Sequence, residues 1–357
     1  MRKNLIFGLL CLLGAPQVAA EPYLAAREGF KCMTCHVNPT GGGMRNAFGN
    51  LYGQTQLPAT AADPDSIARW AELARGPIAI GADLRTDASY VDVPDADGQS
   101  SFSNQELRGY LAATVLPDRL LLYVDQRLTP NALNQEAYAR LWSGDWYVKA
   151  GRMYLPYGLR LQDDSAFIRR VPGITFDTPD NGVELGFESG PWSTQLAVSN
   201  GAGGAAEQDT GKQVSVRVEH VQSTWRAGAS ANFNDAAAGQ RRMTNVFAGL
   251  RTGAVAWLAE ADYVVDDGFP TGERTLLAGL LEANWLVARG HNLKLTGEYF
   301  DPDADVDEDQ QARHSLLWEY TPMPFLQLRL GGRWSDGIPQ NALQNQRQAL
   351  IELHAFF

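Results

Sequence analysis

The chain has 357 residues, 45% of them hydrophobic and 20% charged, with a net charge of -11. This length is enough for a large core or barrel, and the acidity excludes a nucleic-acid binder, whose phosphate partner demands basic surface. After the first residues no run approaches the ~18 to 20 apolar residues of a spanning helix, while 35 glycines, 9 Trp, 12 Tyr and 14 Phe give an aromatic-rich chain.

Residues 1–20 read as a secretory signal peptide. Arg2 and Lys3 form the basic start, Leu5 to Leu13 the apolar stretch, and Val18-Ala19-Ala20 the small-residue cleavage site before Glu21. Cys11 follows Leu10 rather than a small residue, which disfavours lipoprotein cleavage there.

Residues 21–58 carry the sharpest chemical signal, Cys32-Met33-Thr34-Cys35-His36. Two thiols at this spacing meet the two vinyl groups of one haem, and the adjoining histidine reaches the iron. In an exported chain this reads as one covalent haem c on Cys32 and Cys35 with His36 as proximal ligand. A redox dithiol would want a thioredoxin-like βαβ context, and a zinc half-site a second Cys/His pair nearby; neither is present in the sequence. Met44, beyond the pliable Thr40-Gly41-Gly42-Gly43 turn, is the candidate distal iron ligand; the other reading is that it packs on the ring.

The segment Glu21-Pro22-Tyr23-Leu24-Ala25-Ala26-Arg27-Glu28-Gly29-Phe30, the haem pentad, Pro39, Phe48-Gly49 and Tyr52 together resemble the N-terminus of the fused monohaem cytochrome–porins of the bacterial outer membrane, a family that includes iron(II) oxidases. The resemblance covers about thirty residues, of which the pentad is the specific part. Thr40 to Met44 are an insertion relative to the iron oxidases, which run more directly from the proline to Phe-Gly. The resemblance implies electron transfer between an extracellular donor or acceptor, Fe(II) among them, and a periplasmic c-type cytochrome.

Residues 59–76 read as a linker with a short helix, capped at Asp63-Pro64-Asp65-Ser66 and running from Ile67 to Leu73. From 77 to 357 the apolar period switches to two. Val214, Val216 and Val218 alternate with Ser215, Arg217 and Glu219, and Leu326, Leu328 and Leu330 with Gln327 and Arg329. Apolar-out, polar-in alternation predicts transmembrane β-strands, since a soluble sandwich would not bury so many charges.

Short turns are predicted at Pro117-Asp118, Ser143-Gly144-Asp145, Gly190-Pro191, Gln222-Ser223, Thr252-Gly253, Arg289-Gly290 and Pro322-Met323-Pro324. They alternate with longer loops around 94–100, 130–134, 156–180, 200–211, 234–241, 266–273, 301–310 and 336–345. The prediction is therefore an all-β, 16-stranded antiparallel transmembrane barrel in the lipid outer membrane, with both ends periplasmic and the mono-haem cytochrome c segment in front. Trp146, Trp192, Trp225, Trp257, Trp285, Trp318 and Trp334 fall near strand ends, as girdle residues do, and Phe356-Phe357 resembles a terminal assembly signal.

The 156–180 loop is expected to fold inward and form a pore constriction from Arg160, Asp163, Asp164, Arg169 and Arg170; the alternative is a solvated loop with internal ion pairs. Gly151 to Gly158 resembles a segment of anion-type substrate-specific porins. Strand parity turns Glu106, Asp125, Glu184, Glu188, Glu219, Glu260, Asp262, Glu282, Glu298 and Glu352 inward. The bases turned inward are Arg108, Arg127, Arg217, Lys294, Arg329 and Arg333, an acidic excess that would favour cations. Asp301 to Asp309 could gather metal ions at the mouth.

One haem covers only a fraction of the ~30 Å hydrocarbon layer. An electron conduit therefore needs the haem segment plugged into the lumen or a donor that enters the pore. The competing expectations are a passive or substrate-selective diffusion porin with an accessory haem segment, and a haem reductase drawing oxyanions toward Arg160, Arg169 and Arg170.

Overall fold

The computed structural model describes residues 21–73, 76–237 and 239–357; the signal peptide expected over 1–20 lies outside them. Three helices lead the described chain: α1 (Pro22–Glu28), α2 (Ala47–Thr55) and α3 (Pro64–Leu73). In α3 the Asp63 carboxylate accepts from the Ser66 amide at 2.9 Å, and Pro64 supplies a first position that needs no donor. That is the cap read from the sequence.

Sixteen strands follow: β1 (Ile78–Asp92), β2 (Gln99–Leu116), β3 (Leu120–Thr129), β4 (Leu133–Ser143), β5 (Trp146–Met153), β6 (Asp180–Ser189), β7 (Trp192–Ser199) and β8 (Gln213–Val221), then β9 (Trp225–Ala236), β10 (Gly239–Thr252), β11 (Val255–Asp266), β12 (Arg274–Ala288), β13 (His291–Asp301), β14 (Gln311–Met323), β15 (Leu326–Asp336) and β16 (Arg347–Phe356). Each pairs antiparallel with its sequence neighbours, and β1 closes on β16 from Asp83 opposite Phe356 to Asp92 opposite Arg347. Closure leaves no open sheet edge, which is what lets strands sit in lipid.

The short turns fall where predicted, except that β14 runs on through Pro322 and Met323 and turns at Pro324-Phe325, and the first and last strands begin and end at this rim. Two connections expected to be long are tight: β3 and β4 are joined by residues 130–132, and β9 and β10 continue almost to Gly239. The pairs Arg241–Asn234 and Gly239–Ala236 extend the ladder through polar residues. Strands that rise beyond lipid are wet on both faces, so they lose the apolar alternation and read as loop.

Outside, β8 shows the rule plainly: Val214 is exposed while Ser215, Arg217 and Glu219 are buried. Trp146, Trp192, Trp225 and Trp285 sit exposed at the short-turn rim, and Tyr90, Phe233, Tyr263 and Tyr299 face out near the other end of their strands. This outer surface is an apolar band between two aromatic girdles.

Two bulges shift the inward phase. At Arg85/Thr86 both Gln105 and Glu106 turn in, and at Asp125/Gln126 both Gln135 and Glu136 do. Parity reading passed over Glu136 for that reason, and Asp83, Asp87, Glu319, Arg85, Lys149, Arg226 and Arg313 are further buried charges that it missed.

Candidate functional site

The lumen is filled from both ends. Residues 21–58 enter at the short-turn rim. Glu21 pairs with Lys294 (2.5 Å) and Arg329 (2.7 Å), and the Tyr23 hydroxyl donates to Glu319 at 2.8 Å. Lys31 reaches Glu188 at 3.0 Å, and Asn38 donates to Glu136 at 2.8 Å. The Met44 amide donates to the Tyr123 hydroxyl at 2.9 Å. Tyr123 stands three residues from the start of β3, so this segment penetrates about 10 Å along the strand.

The connection 154–179 enters from the opposite end, with a single helical turn, α4 (Phe167–Arg170). Phe167, Ile168 and Val171 join the same buried apolar cluster as Tyr23 and Ala26 of α1. Arg160 donates to Thr40 Oγ1 and to the Gly41 carbonyl, both at 2.7 Å, and so ties the inward loop to the glycine turn. Gly41, Gly42 and Gly43 all have positive φ, and a Cβ on Gly42 would lie 3.0 Å from the Phe176 ring. The close approach of the two plugs therefore requires glycine there.

Inward folding of this loop was expected, but its charges do not stand as an open constriction. Asp163 is held by Arg333 and by Arg313 at 3.7 Å, and Asp164 lies 3.6 Å from Arg169 and accepts from the Phe176 amide at 2.7 Å. Arg170 is exposed and lies over the Phe167 ring. Burial pushes the Asp164 carboxyl up to about 7. Asp163 is drawn down to about 2 by Arg333 and Arg313, against its own burial.

The expected acidic field is likewise internal. Of the ten acids read as inward, all are buried, and all but Glu260 and Asp262 have a cationic side chain within salt-bridge distance among the described residues. Charges spent on partners at 0–8% exposure do not act as a free potential in the pore.

Between the N-terminal segment and the wall lies a cavity of about 460 Å³. Cys32, Cys35 and His36 all line it, with Phe30, Gly41, Tyr52, Leu159 and Phe356 as further walls. Cys32 begins a short 3₁₀ turn, and the His36 amide donates to the Cys32 carbonyl at 3.1 Å, which folds the pentad onto itself. His36 then bridges to Arg45, while the Asn46 side chain donates to the carbonyls of Met33, Thr34 and His36 and caps α2 by accepting from the Gly49 amide. A Cβ on Gly49 would fall 2.2 Å from the Cys35 carbonyl, so α2 packs directly on the pentad's backbone.

The donor set fits a covalent haem. Cys32 and Cys35 are free thiols. His36 is half-buried, its Nδ1 is shielded without a partner in hydrogen-bond geometry among the described residues, and desolvation with Arg45 nearby holds its pKa down at about 3. A neutral imidazole is the form that binds iron. Burial pushes Cys35 up to about 11, with Cys32 adding to it, so it stays a thiol. Arg45, Arg160, Arg217, Arg226 and Arg329 also line the cavity. Sequence reading did not assemble this arginine ring, because its members come from distant segments that only barrel closure brings together.

Met44 is placed elsewhere. Its side chain is buried with Tyr110, Tyr123, Tyr138 and Met153 against the barrel wall, and it is not among the residues lining the cavity. The bridge between His36 and Arg45 puts Met44 next to Arg45 in an extended run, so the two side chains point to opposite sides. His354 of β16 does line the cavity, with its Nε2 at 3.1 Å from Asp83 and 2.7 Å from Arg85.

No family model matches the sequence, and no curated protein matches it. The fold does have counterparts among solved structures. An anion-selective porin from Comamonas acidovorans superposes with a TM-score of 0.62 at 11% identity, over 78% of this chain and 99% of that one. OprB of Pseudomonas putida gives 0.63 at 9% identity, over 86% and 100%. The trimer form of OmpT from Vibrio cholerae gives 0.61 at 12%, over 79% and 100%. The fold is that of a 16-stranded porin-type barrel. At these identities the likeness is one of architecture.

Proposed function

We propose that this chain is a bacterial outer-membrane electron-transfer protein. Its barrel encloses one haem c, bound through Cys32 and Cys35 and ligated by His36, on the periplasmic side of the lumen. The observation that carries the reading is the shared cavity: two free thiols and a neutral histidine line one space inside a doubly plugged barrel. When bound there, the haem supplies one-electron redox chemistry.

The protein's own residues do the rest. Tyr23, Glu21, Lys294 and Glu319 fix the segment against the wall. Leu159 and Arg160 of the inward loop line the cavity, and Asp163 ties that loop to Arg333 of β15. Arg226, 3.8 Å from Cys32 Sγ, is already paired with Glu219 and Arg329 with Glu21, whereas Arg45 lines the cavity with no carboxylate in salt-bridge distance among the described residues and would offer a cationic partner to an acidic group of a cofactor. Exchange would run between a periplasmic c-type cytochrome at the short-turn rim and an extracellular donor or acceptor, Fe(II) among the candidates, at the other. Met44 has no part in ligation in this reading.

The purified mature protein, made in cells with a haem-maturation system, is expected to show a Soret band that resists acid–acetone extraction. An extractable or absent band contradicts the reading. A second reading, a diffusion porin with an accessory N-terminal segment, is favoured by the architectural likeness to porins, the anion-selective porin of Comamonas acidovorans among them. Planar-bilayer recording separates the two. A conduit gives little conductance, and a porin opens stably.

A further inference from the structure

Glu260 and Asp262 stand out on the inner wall as the parity-read acids that lack any basic partner among the described residues. They are 4% exposed each and project from the same face of β11. Asp262 pairs with Asn245 of β10 across the ladder. Tyr157, from the inward loop, lies beside the Asp262 carboxylate together with Asn245 and Glu260.

We propose that Glu260, Asp262, Asn245 and Tyr157 form a site for one hard divalent cation inside the barrel. This does not rest on the haem reading.

The unmet atoms carry the argument. Among the described residues, neither carboxylate oxygen of Asp262 has a partner in good hydrogen-bond geometry, and neither does Asn245 Oδ1 or the Tyr157 hydroxyl, which stand beside that carboxylate without being aligned on it, although all three side chains are more than nine-tenths buried. The Asn245 amide is oriented by donating through Nδ2 to Glu260 Oε1 at 2.8 Å, which fixes its oxygen as the free end. Buried polar atoms without partners are rare and costly, and four in one place point to a missing ligand.

Charge and donor type name that ligand. Two adjoining carboxylates cannot both stay ionised in a dry site without a counter-charge. The nearest guanidiniums are already engaged: Arg169 faces Asp164 at 3.6 Å, and Arg241 faces Asp266 at 3.1 Å. Carboxylate, amide and phenol oxygens with no sulfur or imidazole select calcium, magnesium or manganese over softer ions.

The backbone also prepares the place. The Leu159 amide donates to Glu260 Oε2 at 2.5 Å, and the Gly158 amide donates to Ser230 Oγ at 3.0 Å. A Cβ on Gly158, whose φ is +47, would lie 2.1 Å from Glu260 Oε1, so the loop backbone sits directly over the carboxylate. A bound ion would thereby link the inward loop to β10 and β11. Asp262 is four residues from the end of β11 at the long-loop rim, so an ion arriving from that side has about 13 Å of strand to pass.

The test uses the full mature protein in detergent, stripped with chelator and titrated with Mn²⁺ while free Mn²⁺ is read by electron paramagnetic resonance. One saturable Mn²⁺ per chain, displaced by Ca²⁺, is expected. Asp262→Asn, which keeps the shape and leaves the Glu260 contacts to Leu159 intact, is expected to weaken binding at least tenfold. Tyr157→Phe, which removes one oxygen and no charge, should weaken it a few-fold and covers the case in which the first variant does not fold. Asp305→Asn, in the exposed acidic loop, should change nothing. Absence of saturable binding in the wild type, which would mean a shared proton instead, overturns the proposal. So does unchanged binding in both pocket variants, or loss confined to Asp305→Asn.

Discussion

Asp163 and Asp164 are neighbours in the chain yet titrate in opposite directions. Asp163 faces two arginines and is held near 2, while Asp164 is dominated by its burial and rises to about 7, with Arg169 only partly offsetting it. A carboxyl whose pKa rises on folding holds a proton that the unfolded chain gives up near 4, so its contribution is complete below that pH and is lost as pH climbs through 7. Asp164→Asn is therefore expected to raise detergent-state stability at pH 8 by roughly 2–4 kcal/mol, with little change at pH 4, as read from thermal melts at both pH values. Met44 makes the complementary point. Met44→Ala should leave the absorption spectrum and midpoint potential of the loaded protein unchanged while costing about 2–5 kcal/mol of stability through the void left among Tyr110, Tyr123 and Met153. A shifted spectrum would return Met44 to the iron.

At the scale of elements, the strands and their short turns were legible because one face meets lipid and the other meets charge, a period-two signal that is clean in strands such as β8. The strand tips were not legible, since above the bilayer Asn234, Asp235 and Arg241 look like loop although they pair. The pentad was legible as a spacing of two thiols and a histidine, because that spacing is local. The cavity around it was not, because Arg226, Arg329 and His354 reach it from strands far apart in sequence. Two element contacts can be probed. Gly49→Ala sets a methyl against the Cys35 carbonyl, and the expected result is displacement of α2 with a lower yield of protein carrying a Soret band. Arg160→Ala removes both bonds between the inward loop and the Thr40–Gly41 turn, and more frequent openings in bilayer recordings are expected, with the barrel still folded.

For the molecule as a whole, porin architecture and a filled lumen coexist. The wall is a closed 16-stranded barrel of the porin type, while its interior is occupied by the N-terminal segment and the 154–179 connection. Removing residues 21–58 while keeping residues 1–20 is expected to raise single-channel conductance several-fold, since Glu21, Tyr23 and Lys31 then no longer occupy the short-turn mouth. Equal conductance with and without the segment would mean that it does not obstruct the channel. The central claim is covalent attachment at Cys32 and Cys35. Intact mass spectrometry of the mature polypeptide, from cells competent in cytochrome c maturation, addresses it most directly. The expected mass is that of the processed chain plus one haem, returning to the bare chain in the Cys32→Ala, Cys35→Ala double variant; a bare-chain mass for the wild type would contradict the account.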